Sequence, residues 1–512
     1  MTDKQLKNEY LRRILNSRVY DVADETALEE MTALSKRLRV RILLKREDLQ
    51  SVHSFKLRGA YNKMASLPRA AIEKGVLAAS AGNHAQGVAL AAKRLGCKAT
   101  IVMPVTTPEI KIAAVKSHGA SIVLAGDSYS DAAAEAARIV KEKGLTFIPP
   151  YDDPDVIAGQ GTVAMEILRK HPGPLDAVFV PVGGGGFAAG VAVYIKAVRP
   201  EVKVFGVEPV DSDCMARSIE AGRRVELPEV GLFADGVAVK KPGKLTFDIC
   251  RRFLDGIVRV STDETCAAIK DIFEATRAVC EPAGALALAA AKKTIAGGGA
   301  AEGATFVCIV SGANMNFDRI RFVSEQTEIG ERREAILECR IPEEKGAFKS
   351  FIRKLGKRSV TEFNYRYFDP SRAYVFVGLS VADREETRRI VAQLTAAKIG
   401  TIDLSDDALA KEHIRHMVGG HTQGIHDEVA YTFEFPERPG ALMDFLEAIS
   451  DRWNITLFHY RNHGADHGKV LVGMQVPPSD RAAFRRTLKE LGYVFHDVSS
   501  NPAYRLFLGN KG

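Results

Sequence analysis

The sequence predicts an α/β protein in which a large region with mostly parallel sheets is followed by two ferredoxin-like α+β domains. Between residues 40 and 320, short strands that are apolar at nearly every position alternate with helical stretches. Strands of this kind are buried on both faces, which is typical of parallel sheets covered by helices. After Ser311 the alternation stops, and a segment of a different pattern occurs twice. These two observations set the predicted division of the chain.

The elements of the first region follow from apolar periodicity and glycine positions. Residues 1–20 place apolar side chains at helical spacing and predict a helix. The predicted strands are residues 40–45, 76–79, 99–103, 121–124, 177–182, 202–208 and 306–310. Helices are predicted at residues 85–95, 131–143 and 187–196, and residues 317–330 suit a linker helix.

The second region contains an internal repeat. The segment Pro-Glu-Glu-Lys-Gly-Ala-Phe at 342–348 returns as Pro-Glu-Arg-Pro-Gly-Ala-Leu at 436–442, and residues 360–366 return at 455–461. Each copy predicts the order strand, helix, strand, strand, helix, strand, which is the ferredoxin-like order. The predicted boundaries are a first region at 1–320, a linker at 321–334, copies at 335–407 and 428–501 around a linker at 408–427, and a tail at 502–512.

Composition excludes several classes of protein. A net charge of +7 over 512 residues, without a block of five basic residues, does not indicate nucleic-acid binding. Seven cysteines without C-x-x-C spacing are typical of reduced thiols, so we expect a cytoplasmic protein. The charged first twenty residues do not form a signal peptide. The uncharged run 177–195 is interrupted by Pro181 and four glycines, so we expect a strand, a loop and a helix there and no membrane partner.

Four short stretches carry groups suited to one chemistry. Lys56 lies in Ser-Phe-Lys-Leu-Arg-Gly at 54–59 and supplies an amine, and residues 80–84 form the polar loop Ser-Ala-Gly-Asn-His. Four glycines at 183–186 follow a buried strand and open a helix, which is the pattern of an anion-binding loop. Ser311 ends a strand and offers a hydroxyl to a ring nitrogen. This set favours pyridoxal phosphate held as a Schiff base on Lys56.

Plainer interpretations exist for each stretch. Ser54 could simply cap a helix, with Lys56 as a solvated surface amine. The glycines also satisfy a dinucleotide fingerprint, Gly183-x-Gly185-x-x-Ala188, with an acid at Glu208 after the next strand. That interpretation leaves Lys56 and the polar stretches unexplained. We expect His84 to be a packed loop residue and not a proton shuttle.

The residue expected opposite the pyridine nitrogen bears on the type of reaction. A neutral hydroxyl at Ser311, in place of a carboxylate, leaves that nitrogen unprotonated and makes the ring a weaker electron sink. Such a ring favours prompt expulsion of a β-substituent over a long-lived carbanion.

At these motifs the sequence resembles the fold type II (tryptophan synthase β-like) pyridoxal phosphate enzymes, and among them the threonine ammonia-lyases. The matching segments are residues 45–48, 53–61, 80–87, 281–286 and 360–366. The resemblance implies a catalytic domain of two open parallel-sheet subdomains and two ACT-like regulatory domains. It also implies the Schiff base on Lys56, the phenolic oxygen at Asn83 and the pyridine nitrogen at Ser311. The phosphate falls at Gly183, Gly184, Gly185, Gly186 and Phe187, and the substrate at Ser80, Ala81, Gly82 and Asn83.

The implied reaction is the conversion of L-threonine to 2-oxobutanoate and ammonia, the committed step towards isoleucine. The resemblance further implies a homotetramer inhibited by isoleucine, with valine as an activator. The effector neighbourhood would be Gly346, Phe363, Gly440 and Phe458. A serine or threonine dehydratase of the same fold, or an inactive amino-acid sensor, remains an alternative. No metal site is predicted, although a cation near Glu208 stays open.

Overall fold

The computed structural model describes residues 1–317, 319–330, 334–342, 351, 354–355, 360–365, 372–414, 426–436, 453–461 and 467–508. It divides the chain into two compact units, residues 1–323 and 324–512, which are described separately below.

The first unit contains two sheets, as the sequence predicts. The larger has the order β1-β2-β10-β7-β8-β9, and only β1 is antiparallel to its neighbour. Its strands are β1 (Leu28–Glu30), β2 (Arg41–Arg46), β7 (Ala177–Pro181), β8 (Lys203–Pro209), β9 (Gly256–Val260) and β10 (Thr305–Val310). The smaller sheet has the order β5-β4-β3-β6 and is parallel throughout. Its strands are β3 (Val76–Ala79), β4 (Ala99–Met103), β5 (Ser121–Leu124) and β6 (Thr146–Phe147).

Helices connect these strands and cover both sheets. They are α1 (Asp3–Leu15), α2 (Thr32–Leu38), α3 (Lys56–Ala65), α4 (Arg69–Lys74), α5 (Asn83–Leu95), α6 (Glu109–Lys116), α7 (Tyr129–Lys143), α8 (Pro154–Lys170), α9 (Gly186–Val198), α10 (Cys214–Glu220), α11 (Lys244–Phe253), α12 (Thr262–Thr276), α13 (Pro282–Ala296) and α14 (Arg319–Gly330). Strands β3, β7 and β10 are buried along their whole length, which agrees with their continuous apolar sequences. None of the helices described is long and apolar enough to cross a bilayer.

The parallel arrangement places the predicted polar stretches at strand ends. Ser80 follows β3, Gly183 follows β7, and Ser311 follows β10 directly. Open α/β sheets bind ligands outside the carboxyl ends of their strands. The fold therefore puts three of the four stretches where a ligand site is expected.

The second unit contains two four-stranded antiparallel sheets of the same order, β12-β13-β11-β14 and β16-β17-β15-β18. The first copy has β11 (Glu334–Pro342), β12 (Val360–Tyr365), β13 (Arg372–Ser380) and β14 (Gly400–Asp403), with a helix at Arg384–Ala396. The second has β15 (Glu428–Pro436), β16 (Asn454–Arg461), β17 (His467–Gln475) and β18 (Val494–Asp497), with a helix at Arg481–Leu491. Both show a register irregularity at one place, between Val360 and Glu362 and between Ile455 and Leu457. The two copies repeat in structure as well as in sequence.

Each copy is followed by a short helix, Ala408–Glu412 and Pro502–Phe507. These segments fall in the predicted linker and tail. The second helix buries Ala503, Tyr504 and Phe507, and the Phe507 ring packs edge-on against Phe376 with ring centroids 5.5 Å apart. Apolar side chains of both copies thus share one cluster within this unit.

Candidate active site

Lys56 is the first residue of α3, and its position is set by the segment before it. Phe55 precedes the helix without a side-chain cap, so the capping that the plainer interpretation assigned to Ser54 does not occur. Ser54 instead forms an antiparallel bridge with Gly312, and the N–H of Phe55 donates to the carbonyl of Ser311 at 3.2 Å. The start of α3 is therefore attached to the end of β10, which brings Lys56 and Ser311 together.

The amine of Lys56 lies among few polar partners. Its Nζ donates to the carbonyl of Pro150 at 3.3 Å, and the side chain keeps partial access to solvent. Burial lowers the pKa of Lys56 from 10.5 to about 8, while the carboxylate of Glu281 acts in the opposite direction. With that pKa, roughly a quarter of the amines are neutral at pH 7.5, which suits a nucleophile or base.

The glycines at 183–186 form a tightly packed loop at the start of α9. A Cβ at Gly184 would lie 2.3 Å from ring atoms of Tyr151, and one at Gly186 would lie 2.8 Å from the carbonyl of the same residue. Gly185 has a φ of +94°, which an L side chain rarely adopts. Since Tyr151 follows Pro150, one short segment contacts both this loop and Lys56. The Phe55 and Phe187 rings also stack, with centroids 3.8 Å apart.

The backbone of this loop offers a row of hydrogen-bond donors. Carbonyls of the loop are occupied: that of Gly184 accepts from Thr246 Oγ1 at 2.6 Å and from the N–H of Gly243 at 3.3 Å. Within the described residues, by contrast, the N–H groups of 183–187 donate to no protein acceptor. Unpaired N–H groups at the N-terminus of a 13-residue helix favour an anion.

The loop after β3 carries the second predicted stretch. Helix α5 begins at Asn83, two residues before the predicted start, and Gly82 precedes it. The N–H of Gly82 donates to Ser80 Oγ at 3.2 Å, and a side chain at Gly82 would meet open space. Residues 80–83 are all partly exposed, as a substrate-binding loop requires.

The sequence assigns no role to two residues of the site, Glu281 and Asn314. Glu281 Oε1 accepts from Asn83 Nδ2 at 2.7 Å, and Asn314 Nδ2 donates to Asn83 Oδ1 at 2.7 Å. Burial raises the pKa of Glu281 to about 7 from 4.5, with a further contribution from Asp235. The sequence signals were the position of Glu281 just before α13 and of Asn314 three residues after Ser311, but neither position identifies its partner.

His84 and Ser311 differ in their surroundings. His84 is buried, its Nε2 lies 2.9 Å from the carbonyl of Ile148, and burial lowers its pKa to about 3. It is therefore neutral and packed, as expected, but it lies in α5 and not in a loop. Ser311 is 2% exposed and lies beside Gly312, where a Cβ would approach Glu281 Oε1 to 2.7 Å.

A second group of charges, the network under α3, is buried and includes Arg58 of this helix. Arg58 donates to Glu47 at 2.8 Å and to Glu166 at 2.6 Å, and Lys45 donates to Glu166 at 2.5 Å and to the carbonyl of Thr26 at 2.8 Å. All four charged side chains are 0% exposed. Two cations and two anions thus balance each other next to the helix that carries Lys56.

The sequence leaves a cation near Glu208 open. Its carboxylate accepts from the N–H groups of Met215 and Ala216, at 2.9 and 2.8 Å, and burial raises its pKa to about 8. Asp213 pairs with Arg217 and Arg259. Over the described residues, no group of three potential metal ligands occurs.

The effector residues implied by the resemblance are only partly described. Phe363 lies in β12 and Phe458 in β16, at equivalent positions of the two copies. Gly346 and Gly440 lie outside the described residues.

The residues present fit pyridoxal phosphate. A partly buried amine with a lowered pKa, a row of N–H groups without an acceptor among the described residues and a hydroxyl at a strand end occur within one site. Ser54 Oγ is also buried and, among the described residues, has no hydrogen-bond partner. The dinucleotide interpretation explains the glycine loop but not the lysine that contacts Pro150 beside it.

Comparisons with known proteins identify the family of this chain. Residues 19–312 match the family model described as pyridoxal-phosphate dependent enzyme. Residues 325–414 and 419–508 each match the C-terminal regulatory domain of threonine dehydratase.

Similar proteins extend over the whole chain. The chain is 58% identical to the L-threonine dehydratase biosynthetic IlvA of Burkholderia multivorans, over 98% of this chain and 99% of the relative. It is 52% identical to the enzyme of that name from Escherichia coli, over 98% and 97%. A solved structure of threonine deaminase isoform 2 from Solanum lycopersicum superposes with a TM-score of 0.62 at 48% identity, covering 64% of this chain and 89% of that one. This chain therefore belongs to the pyridoxal-phosphate dependent enzymes, and within them to the biosynthetic threonine dehydratases with two C-terminal regulatory domains.

Proposed function

We propose that this chain converts L-threonine to 2-oxobutanoate and ammonia, the reaction that commits threonine carbon to isoleucine. The observation that carries the proposal is Lys56, an amine with a pKa of about 8 placed between the glycine loop, Asn83 and Ser311. The similarity over the full chain to enzymes named threonine dehydratase supports the choice of substrate.

Lys56 is the residue that carries the chemistry. Bound pyridoxal phosphate supplies an electron sink that makes the α-proton of the amino acid acidic. Lys56 would hold the cofactor in the resting enzyme, and its neutral amine would take the α-proton of the substrate. Its lowered pKa leaves enough neutral amine for this step near neutral pH. Water is lost from the substrate, and hydrolysis of the resulting enamine then releases ammonia.

Three groups of residues orient the reactants. The N–H groups of Gly183, Gly184, Gly185, Gly186 and Phe187 would bind the phosphate, since no protein acceptor among the described residues takes them. The amide of Asn83, which also donates to Glu281, would donate to the phenolic oxygen. The loop of Ser80, Ala81 and Gly82, together with Asn83, binds the substrate carboxylate. This loop is half-buried at the start of a 13-residue helix, where an anion is favoured.

Ser311 faces the pyridine nitrogen in this proposal. Its support is the bond between the N–H of Phe55 and the carbonyl of Ser311, which keeps the strand end next to Lys56. A hydroxyl does not protonate the ring nitrogen, so the site favours elimination over reactions that need a persistent carbanion.

The second unit binds the regulatory amino acid. We infer isoleucine as inhibitor and valine as activator, near Phe363 and Phe458 and the turns at Gly346 and Gly440. The support is a pair of regulatory-domain matches and a repeated fold in which both phenylalanines occupy equivalent strand positions. Inhibition requires isoleucine to prefer a state of the enzyme with low affinity for threonine, by about 1–3 kcal/mol.

The same proposal extends to organisation. We place the catalytic domain at 1–320, the regulatory copies at 335–407 and 428–501, and the working enzyme in a homotetramer in the cytoplasm. Support comes from the break between units at residues 323 and 324, and from seven cysteines that are all free and mostly buried, as in a reducing compartment.

One assay tests both halves of the proposal: formation of 2-oxo acid from L-threonine by the wild type and Lys56→Ala, with and without isoleucine. The wild type should turn over and be inhibited by isoleucine, with relief by valine. Lys56→Ala should lose activity by at least about a hundredfold, since it lacks the base. Borohydride should fix the cofactor on Lys56, as peptide mass spectrometry will reveal.

Full activity of Lys56→Ala would overturn the catalytic assignment. Turnover without any response to isoleucine would leave the catalytic part standing and overturn the effector assignment. Inhibition that is purely competitive and disappears with substitutions at Ser80 would move isoleucine to the active site.

A further inference from the structure

Three polar side chains form a row through the active site. Asn314 Nδ2 donates to the backbone carbonyl of Val52 at 2.8 Å and to Asn83 Oδ1 at 2.7 Å. Asn83 Nδ2 then donates to Glu281 Oε1 at 2.7 Å. The three residues come from separate places in the chain, after β10, at the start of α5 and before α13. The row therefore connects both sheets of the unit.

The direction of this row follows from its two ends. The carbonyl of Val52 only accepts, so Asn314 must turn its NH2 group towards it. That nitrogen donates its second hydrogen to Asn83, which must therefore present its oxygen. The NH2 group of Asn83 consequently faces Glu281, whose carboxyl oxygen accepts. An amide that fits its site in only one orientation is fixed without reference to any ligand.

The carboxyl of Glu281 fits beside Asn83 because the two residues that face it, Gly312 and Gly236, have no side chain. A Cβ at Gly312 would come within 2.7 Å of Glu281 Oε1, and one at Gly236 within 3.3 Å. Glu281 is 4% exposed, and the charged groups that act on it are Asp235, Lys111 and Arg319, while Glu281 itself acts on Lys56. A carboxyl inserted between two glycines holds its acceptor atom in a narrow range of positions.

We propose that Asn314 and Glu281 are positioning residues that hold the amide of Asn83 in one orientation, with one amide hydrogen bound by Glu281 and the other directed to the phenolic oxygen of the cofactor. Among the described residues, no protein acceptor takes that second hydrogen. The inference rests on the proposed role of Asn83 in cofactor binding, and it assigns the orientation of that residue to two neighbours that do not themselves touch the phenolic oxygen.

The test measures cofactor binding and spectra of the full-length protein, not turnover alone. Apoenzyme variants are titrated with pyridoxal phosphate to obtain Kd, and the visible absorption of the holoenzyme is recorded against pH. Asn314→Asp replaces the donor by acceptors and removes both bonds of Asn314. We expect about a tenfold weaker Kd and a shifted absorption band, as for the loss of a hydrogen bond to a charged acceptor. Asn314→Ala should change both in the same direction.

A matched control is Asn62→Asp. Asn62 Nδ2 also donates to a backbone carbonyl, that of Asp155 at 2.7 Å, but it lies outside the row. Its Kd and spectrum should equal those of the wild type. At the other end of the row, Glu281→Ala should weaken cofactor binding, whereas Glu281→Gln should restore most of it, because the amide oxygen of glutamine still accepts.

The outcomes distinguish a failure of the positioning role from a failure of the proposed function. If Asn83→Ala changes the spectrum but the Asn314 variants do not, the positioning role is wrong and the proposed function stands. If Asn83→Ala leaves both Kd and spectrum unchanged, the role of Asn83 and this inference fail together. Should Asn62→Asp shift the spectrum as much as Asn314→Asp, the effect is a general loss of packing and the inference is overturned.

Discussion

Two lysines, Lys45 of β2 and Lys56 of α3, differ in how their amines are paired. Lys45 is 0% exposed and donates to Glu166, to the carbonyl of Thr26 and to the Thr26 hydroxyl. Lys56 lies only eleven residues later, yet among the described residues its amine makes one hydrogen bond, of 3.3 Å, to the carbonyl of Pro150. All three hydrogens of the Lys45 amine have an acceptor, whereas the amine of Lys56 remains available for a reaction.

The anions near each lysine explain the difference. Glu47 and Glu166 are shared between Lys45 and Arg58 in close contacts, so every charge of the network under α3 has an opposite charge beside it. The carboxyl that influences the pKa of Lys56 is that of Glu281. It acts by electrostatic attraction without a hydrogen bond to the amine, and it accepts a hydrogen bond from Asn83. Burial lowers the pKa of both amines, but among the described residues only Lys45 has carboxylates in contact with it, Glu47 and Glu166, that act against this lowering. An amine with a lowered pKa and no carboxylate in contact with it is what the proposed reaction needs. The paired lysine supports the fold, and the other carries the chemistry.

The largest effect on stability is expected when the paired lysine is replaced. Lys45→Met removes one cation from a network of two cations and two anions and leaves Glu47 and Glu166 with Arg58 alone. Breaking a buried pair in this way costs about 3–5 kcal/mol. Urea unfolding of the apoenzyme at pH 7 measures the loss. Lys116→Met, on an exposed part of α6, is the control and should change stability by less than about 0.5 kcal/mol. A loss below about 1 kcal/mol for Lys45→Met would contradict the pairing argument.

The same substitution at Lys56 should have the opposite sign. The pKa of Lys56 is lowered to about 8, so the charged amine disfavours the folded state below that pH. Removing it in Lys56→Met should raise the stability of the apoenzyme by about 1 kcal/mol at pH 7, allowing for partial solvent access. The gain should be complete below pH 8 and should disappear as the pH rises from 8 to 10.5, where the unfolded chain also loses its proton. Unfolding at pH 6, 8 and 10 tests this, and a loss of stability at pH 6 would show that the amine is paired after all.

The sequence predicts a role in the site for Lys56 but does not predict that Lys45 is buried and paired. Lys56 is recognisable because the glycine loop, Asn83 and Ser311 follow apolar strands, and the carboxyl ends of parallel strands meet at one edge. Lys45 ends a predicted strand with nothing local to indicate that it is buried. Its partner Glu166 lies 121 residues away on α8, and no periodicity connects the two. Pairings between distant residues are decided by tertiary packing and leave no local pattern.

The limits of the fold prediction have similar causes. The long apolar strands were predicted to within about two residues, but β1, β6 and β9 were missed, since β1 and β6 have only three and two residues and β9 is only partly buried. The internal repeat predicts the two ferredoxin-like sheets. It does not predict the helix Pro502–Phe507, whose apolar residues are buried only because the two copies share a cluster. Likewise Glu281 lies in a segment that matches the family, but its bond to Asn83, and the bond of Asn314 to Asn83, are seen only in the structure.

The smallest effect on stability is expected at Phe187. This position tests whether the side chain of residue 187, and not only its backbone, contributes to phosphate binding. The Phe187 ring is 5% exposed and stacks on Phe55, while the proposed contribution of residue 187 to phosphate binding is its N–H group. Phe187→Leu should therefore cost about 0.5–1 kcal/mol of stability from the lost stacking and leave the Kd for pyridoxal phosphate within about twofold. Phe179→Leu, in the fully buried strand before the loop, is the matched control and should also alter stability without altering Kd. A tenfold weaker Kd for Phe187→Leu alone would mean that the ring shapes the phosphate loop. The difference between Lys45 and Lys56 is one of charge pairing. A change at Phe187 would add that apolar packing also determines whether the N–H groups of the glycine loop can bind phosphate.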